Sequence, residues 1–271
     1  KPMQNVHLKG TDRKEQTLLI AENTLISSAE IGVFATVGVE QVMVAKQPTI
    51  VIISTGDELV DVSETPKDYQ IRRSNVYSLY GLLRRLKIQA DVSHLTDDKE
   101  VLKEKIAAYL DKYDVLLFSG AVSKGKFDFL PEVLSELGVE KKFHKVKQRP
   151  GKPFWFGKKA NKTIFAFPGN PVSTFVGCLK YFYPWYGKSL GVALSRKSAI
   201  LQKAFRFNPE LTYFLQVAIS DKEGQNYAYP VIGKGSGDLA NLIDADGFLE
   251  LPEDRSSFAK GEVFPLITYR N

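Results

Sequence analysis

Three short stretches of this chain combine glycine, proline, hydroxyls and charge in patterns suited to holding an anion. The first, Leu116-Leu-Phe-Ser-Gly-Ala-Val-Ser-Lys-Gly-Lys-Phe-Asp128, reads as an apolar strand, a glycine-punctuated loop and the start of a helix. Gly120 and Gly125 permit positive φ and close backbone approach, and Ser119 and Ser123 supply hydroxyls. The N–H groups of the following helix turn toward whatever sits there. Taken alone, such a turn carries glycine for geometry about as readily as for a ligand. The second stretch, Ile164-Phe-Ala-Phe-Pro-Gly-Asn-Pro-Val-Ser-Thr174, again runs from strand to helix. Pro168 and Pro171 stiffen this turn, Gly169 lets it bend, and Asn170 stands as a plausible N-cap with Pro171 at the first helical position. In the third, Arg149-Pro-Gly-Lys-Pro153, the Lys152 ammonium lies between two conformationally restricted residues.

Carboxylates stand close to such turns. Asp57 and Glu58 follow a strand directly in Ser54-Thr-Gly-Asp-Glu-Leu59, where hard oxygen donors could hold a divalent cation, Mg2+ being the expected ion. Asp97 opens a helix as Asp-x-x-Glu100, a pattern that is equally a simple capping box. Asp128 also stands at a helix start, where pairing with the macrodipole is the plain explanation. His7, His94 and His144 lack ligand spacing, so zinc is not expected. Neither a Ser-His-Asp arrangement nor a nucleophile elbow is present, which argues against a hydrolase with a covalent intermediate.

The elements that must position these groups alternate. Strands are expected over 49–54, 89–95, 115–119 and 163–167, and helices over 75–86, 98–112, 129–137 and 171–186. That order implies an α/β fold with a mainly parallel sheet covered by helices, in which the glycine turns converge at one rim beyond the strand ends. From about residue 198 short alternating runs separated by Gly and Asp turns read as a small all-β domain. Its turn 233–237 is expected to be structural. The first 46 residues, including an apolar helical pattern over 28–37, are too short to bury their own core.

With 271 residues, 44% hydrophobic and 25% charged, the composition is that of a globular chain long enough for two compact units. No apolar run reaches 18 residues, so no membrane span is expected. The opening Lys1-Pro-Met-Gln-Asn has no initiator Met and no apolar signal core, so truncation is expected and a secretory signal is not. Cys178, the one cysteine, is expected to be a buried thiol, which is compatible with a cytoplasmic protein. A net charge of +6 favours anionic partners modestly. The basic residues lack interleaved aromatics, so a small phosphorylated ligand fits better than nucleic acid.

In this order and spacing, the three stretches together with Ser54-Thr-Gly-Asp-Glu-Leu59 and Thr96-Asp-Asp98 resemble the molybdopterin molybdenumtransferases of the MoeA type, whose animal counterpart is the E domain of gephyrin. The likeness runs from about Val6 to the C-terminus, although the loop 119–128 matches only in part. It implies a molybdopterin-binding α/β domain over 47–188 and a C-terminal β domain over 189–271. Residues 1–46 would be the tail of an N-terminal region that contributes to dimerisation, making the full-length protein a homodimer. The implied reaction inserts molybdenum from molybdate into adenylylated molybdopterin (molybdopterin-AMP) and releases AMP. Glu58, Asp97 and Asp128 would be the catalytic groups and would manage Mg2+. Thr55, Gly56, Asp57, Ser74, Asn75, Ser119, Gly120, Ser123, Gly125, Lys152, Pro168, Gly169, Asn170, Pro171 and Ser173 would hold the substrate. The molybdopterin adenylyltransferase of the same pathway is a possible partner. It is also an alternative identity, although its fold resembles residues 48–187 alone; a non-catalytic scaffold is a third.

Departures from the pattern all add positive charge or remove glycine. Arg73 stands where the family usually has Asp in Ile-x-Asp-Ser-Asn. Ala121 replaces a loop glycine, and Lys124 and Lys126 stand where an acid is common. Such a site is expected to hold pyrophosphate or molybdate more tightly and a metal less tightly.

Overall fold

The computed structural model describes residues 4, 6–120, 122, 129–192 and 197–270. The chain divides into two compact units, Lys1–Lys46 with Gly187–Ala193, and Gln47–Tyr186 with Leu194–Asn271. In the first, helix α1 (Ser28–Thr36) opens on a capping box. The Ser27 hydroxyl accepts from the helix backbone while Glu30 accepts from the Ser27 N–H. None of its residues is buried, and Leu18, Leu25 and Ile31 of this unit are exposed.

The second unit begins with β1 (Ile50–Thr55), a short parallel pair β2 (Leu59–Val60) and β3 (Ile71–Arg72), and helix α2 (Ser74–Arg85). Then come β4 (Ala90–Leu95), α3 (Lys99–Lys112), β5 (Val115–Ser119), α4 (Leu130–Glu136), β6 (Glu140–His144), β7 (Gln148–Arg149), β8 (Trp155–Lys159) and β9 (Lys162–Phe167). The main sheet has the order β4-β1-β5-β9-β8-β6, with the first four strands parallel. Every residue of β1 and β5 is buried, as a parallel strand covered on both faces requires. One face packs on α3 and α4, where Val51, Ile53, Leu116 and Phe118 meet Leu102, Ile106, Leu130 and Val133.

The expected parallel strands and their helices are present to within about two residues. The sequence reading did not include the antiparallel edge of β8 and β6, which pairs on β9. This edge holds an aromatic cluster: Phe154 stacks on Phe167 and Tyr181, with centroids 5.4 and 4.4 Å apart. The helix expected over 171–186 is three consecutive segments, α5 (Pro171–Gly177), a π-helical stretch (Cys178–Phe182) and α6 (Tyr183–Ser189). Pro184 has no N–H to return to the preceding turn, and the Tyr183 N–H reaches back five residues to the Cys178 carbonyl. Cys178 itself is fully buried, which pushes its thiol pKa up and away from thiolate chemistry.

The remaining strands are β10 (Lys197–Leu201), β11 (Phe205–Arg206), β12 (Thr212–Lys222), β13 (Gln225–Pro230), β14 (Gly247–Leu251), β15 (Ser257–Phe258) and β16 (Val263–Thr268). The order β13-β10-β16-β14-β12 closes on itself, because β12 also pairs with β13. Leu201, Leu215, Val217, Leu249 and Leu251 fill the interior. β7 adds in parallel to β12, with Gln148 opposite Thr212. The 149–153 turn is thus anchored on the β domain as well as on the α/β sheet.

Candidate ligand cleft beyond the strand ends

A cleft of about 730 Å3 opens at the carboxyl ends of β1, β5 and β9. Thr55, Gly56 and Glu58 line it from the turn after β1, and Ser119 and Gly120 from the end of β5. The 168–171 turn and the start of α2, residues 73–76, complete its wall with Asp97. One side chain ties these segments together. The Asn75 amide donates to Ser119 Oγ at 2.9 Å and to the Gly169 carbonyl at 2.7 Å. Glycine is required at two places. Gly56 has φ +128°, and a Cβ there would lie 2.4 Å from the Glu58 carboxylate; Gly120 has φ +107°, with Thr55 Oγ1 3.1 Å from where a Cβ would be.

The acidic residues separate into two roles. Glu58 and Asp97 line the cleft, whereas Asp57 uses Oδ1 to accept the Asp97 N–H at 3.2 Å. The cap that the Asp-x-x-Glu100 pattern allowed at Asp97 is made instead by Asp98, whose carboxylate accepts from the Val101 N–H at 2.9 Å. Asp97 therefore precedes the cap and lines the cleft. Among the described residues no group of three or more His, Cys, Asp or Glu side chains is arranged to hold a metal. Mg2+ commonly takes only one or two carboxylates with substrate oxygens and water completing its shell, and Glu58 and Asp97 are, among the described residues, the two carboxylates that line this cleft. Asp128, Ser123 and Gly125, together with Ala121, Lys124 and Lys126, lie outside the described residues.

Arg73 lines the cleft at the N-cap of α2 and pairs through Nη2 with Asp61, both side chains being largely shielded. Asp61 is held below the usual carboxylate range chiefly by the Ser63 backbone N–H and hydroxyl, with Arg73 contributing less. Ser54 Oγ lies 3.0 Å from His94 Nδ1. Burial, followed by the positive charge of Arg73, lowers the His94 pKa and favours the neutral ring. Thr55 Oγ1, Arg73 Nε and Asn75 Oδ1 are buried without a hydrogen-bond partner. Such an atom typically costs about 1–3 kcal/mol.

Lys152, Gly151 and Ser173 line an adjoining cavity of about 550 Å3, with Pro153, Pro168 and Asn170 shared between the two. β8 runs antiparallel to β9, so the 149–153 turn that leads into it comes to the same rim. The far wall is supplied by the β domain through Tyr213, Gln216, Lys234 and Ser236. Asn170 occupies the N-cap position of α5, but its side chain makes no cap bond. Its amide donates to Ser236 Oγ at 3.0 Å, and the Ser236 carbonyl accepts the Val172 N–H. The turn 233–237, read from sequence as structural only, thus meets a cavity wall. Its Gly-Lys-Gly-Ser-Gly composition was the available signal, being the same mixture that marked the other turns. Gln148 carried no such signal. It is buried, donates to the Pro150 carbonyl and accepts from the Tyr181 hydroxyl, bracing the turn that presents Lys152.

Residues 51–186 match the family model described as probable molybdopterin binding domain, and residues 198–269 match the MoeA C-terminal region, domain IV. The chain is 38% identical over 275 residues to a molybdopterin molybdenumtransferase of Synechocystis, covering 99% of this chain and 67% of that protein. It is 28% identical to the protein of the same name from Bacillus subtilis, covering 98% of this chain and 63% of that protein. The chain therefore spans about two thirds of the length of these relatives. A molybdopterin biosynthesis MoeA protein from Pyrococcus horikoshii superposes with a TM-score of 0.77 at 30% identity, covering 93% of this chain and 62% of that one. With both family regions matched in order across an α/β sheet and a closed β domain, the chain belongs to the MoeA-type molybdopterin molybdenumtransferase family.

Proposed function

We propose that this chain carries the molybdenum-insertion site of a molybdopterin molybdenumtransferase, taking molybdopterin-AMP and molybdate and releasing molybdenum cofactor and AMP. The observation that carries this reading is the convergence of three strand-end turns on one cleft, held together by Asn75. The reaction asks for positioned anions and compensated charge more than for a nucleophile. Thr55, Gly56, Ser74, Asn75, Ser119, Gly120 and the 168–171 turn would hold the pterin end, with Asp57 fixing Asp97 through its backbone. Ser123, Gly125 and Asp128 would extend this set. Lys152 and Ser173 would direct an anionic group in the adjoining cavity. Glu58 and Asp97 would hold Mg2+, which would supply positive charge to the phosphate oxygens at the adenylyl bond.

In this reading the functional regions are 1–46, 47–188 and 189–271, the active form is a cytoplasmic homodimer of a longer protein, and the adenylyltransferase hands over the substrate. No described helix is long and apolar enough to cross a membrane. The contribution of β12 and the 233–237 turn to the Lys152 cavity favours this reading over an adenylyltransferase confined to residues 48–187. Calorimetry with molybdopterin-AMP, molybdate and Mg2+, followed by assay of released AMP, tests it. Binding coupled to molybdate-dependent AMP release is expected; release that ignores molybdate would contradict it.

A further inference from the structure

Among the described residues four buried side-chain polar atoms lack a hydrogen-bond partner, and three of them belong to residues lining the cleft: Thr55 Oγ1, Arg73 Nε and Asn75 Oδ1. Elsewhere among the described residues only one buried side-chain polar atom, Ser220 Oγ, is left unpaired, so this concentration points to a partner that a ligand supplies. Thr55 is only 4% exposed, which means that solvent does not satisfy its hydroxyl. Facing the same space is the start of α2, a 12-residue helix whose N-cap, Arg73, makes no side-chain cap bond. The first-turn residues Ser74, Asn75 and Val76 line the cleft.

Arg73 is an unfavourable residue for that position. A guanidinium beside the positive end of a helix dipole is repelled, and it cannot accept the orphan N–H groups as Ser, Thr, Asp or Asn would. Asp61 offsets the charge through one nitrogen, Nη2. A guanidinium carries five N–H donors in a planar fork, so this pairing leaves others for a second acceptor. An anion seated at the start of α2 would take the helix N–H groups and accept from the Arg73 guanidinium and the Thr55 hydroxyl, whereas Asn75 Oδ1, itself an acceptor, would gain nothing from it. Glu58 and Asp97 line the same cleft, so the arrangement is polarised, with an acidic turn after β1 and a cationic wall at α2.

We propose that Arg73, the start of α2 and Thr55 form a phosphate subsite, and that Arg73 sets the preference of the cleft for phosphorylated over unphosphorylated ligands. The identity of the substrate rests on the proposed function; the subsite does not. The phosphate could be that of an adenylyl group or that of a pterin side chain, and the two are separated by the ligands used.

The test is calorimetric titration of the full chain with two matched pairs: AMP against adenosine, and a phosphorylated pterin against its dephosphorylated form. In the wild type, one phosphorylated member binds more tightly than its partner. Arg73→Gln weakens that member roughly 10- to 150-fold, as loss of a charged hydrogen bond does, and leaves the dephosphorylated one unchanged. Asp61→Asn, which frees the guanidinium, tightens the phosphorylated ligand or leaves it unchanged. A merely structural Arg73–Asp61 pair would make both single variants fail together, for both members of each pair. The double variant Arg73→Gln/Asp61→Asn removes the uncompensated carboxylate and covers the case in which Arg73→Gln does not fold; it must show the same loss of phosphate preference. Equal affinities within both pairs for the wild type, or a phosphate preference that survives these variants, would overturn the subsite. An intact Arg73-dependent preference without molybdate-dependent AMP release would overturn the proposed function alone. Normal release with no such preference would overturn the subsite alone.

Discussion

Asn75 and Gly169 stand 94 positions apart in sequence, yet the Asn75 amide donates to the Gly169 carbonyl at 2.7 Å while also donating to Ser119 Oγ. The start of α2, the end of β5 and the turn after β9 are thereby fixed to one another at the cleft. Removing this bridge in Asn75→Ala leaves the Gly169 carbonyl to water and is expected to cost about 1–3 kcal/mol of unfolding free energy. A urea titration checks it. An unchanged midpoint with an unchanged slope would show that the turns hold their places without Asn75.

Neighbouring aspartates should behave in opposite ways. Asp98 caps α3, so Asp98→Ala should lose about 0.5–2 kcal/mol of stability and keep molybdenum insertion. Asp97 lines the cleft, so Asp97→Asn should keep its thermal midpoint while insertion falls roughly 5- to 150-fold, the equivalent of about 1–3 kcal/mol. The same pair of measurements on Asp128→Asn decides between a helix-start role and a site role for that residue.

Lys152 is exposed on a turn braced by Gln148, and it faces the adjoining cavity. Lys152→Ala is expected to weaken molybdopterin-AMP binding by about 1–3 kcal/mol with little change in stability. The difference should shrink as salt is added. Equal affinities at low salt would remove Lys152 from the site.

His94 gives stability a pH dependence. Burial first and Arg73 second hold its folded pKa below the unfolded value, so the folded state favours the neutral ring. Its contribution is complete above an unfolded pKa of about 6.5 and is lost as pH falls from there toward the folded value. Between pH 7.5 and pH 5 the wild type should therefore lose more stability than His94→Gln. Parallel losses in the two proteins would mean that His94 titrates alike folded and unfolded.

The parallel strands β1, β5 and β9 were legible because their residues are mostly apolar on both faces, and β4 because it falls between two helical periods. The edge of β6 and β8 was not, since Glu140-Lys-Lys-Phe-His144 has exposed polar residues and no buried alternation. Its place depends on pairing with β9, a non-local fact. The strand-end turns of the cleft were legible from glycine, proline and carboxylates. The role of Asp98 was not, because two adjacent aspartates offer the same cap and only the backbone decides which accepts the Val101 N–H. Ser236 was read as part of a structural turn because its partner, Asn170, is 66 positions away.

The central claim is that the cleft lined by Gly120 and Gly169 receives the substrate. Gly169 is exposed and lines the cleft, and a Cβ added there would meet nothing nearer than Gly120 Cα at 3.9 Å, so Gly169→Phe is expected to fold and to take up cleft volume. Calorimetric titration of molybdopterin-AMP into this variant and the wild type, with thermal midpoints measured alongside, is the direct test. Loss of binding at an unchanged midpoint is the predicted result; wild-type affinity in a folded Gly169→Phe protein would contradict the assignment of the cleft.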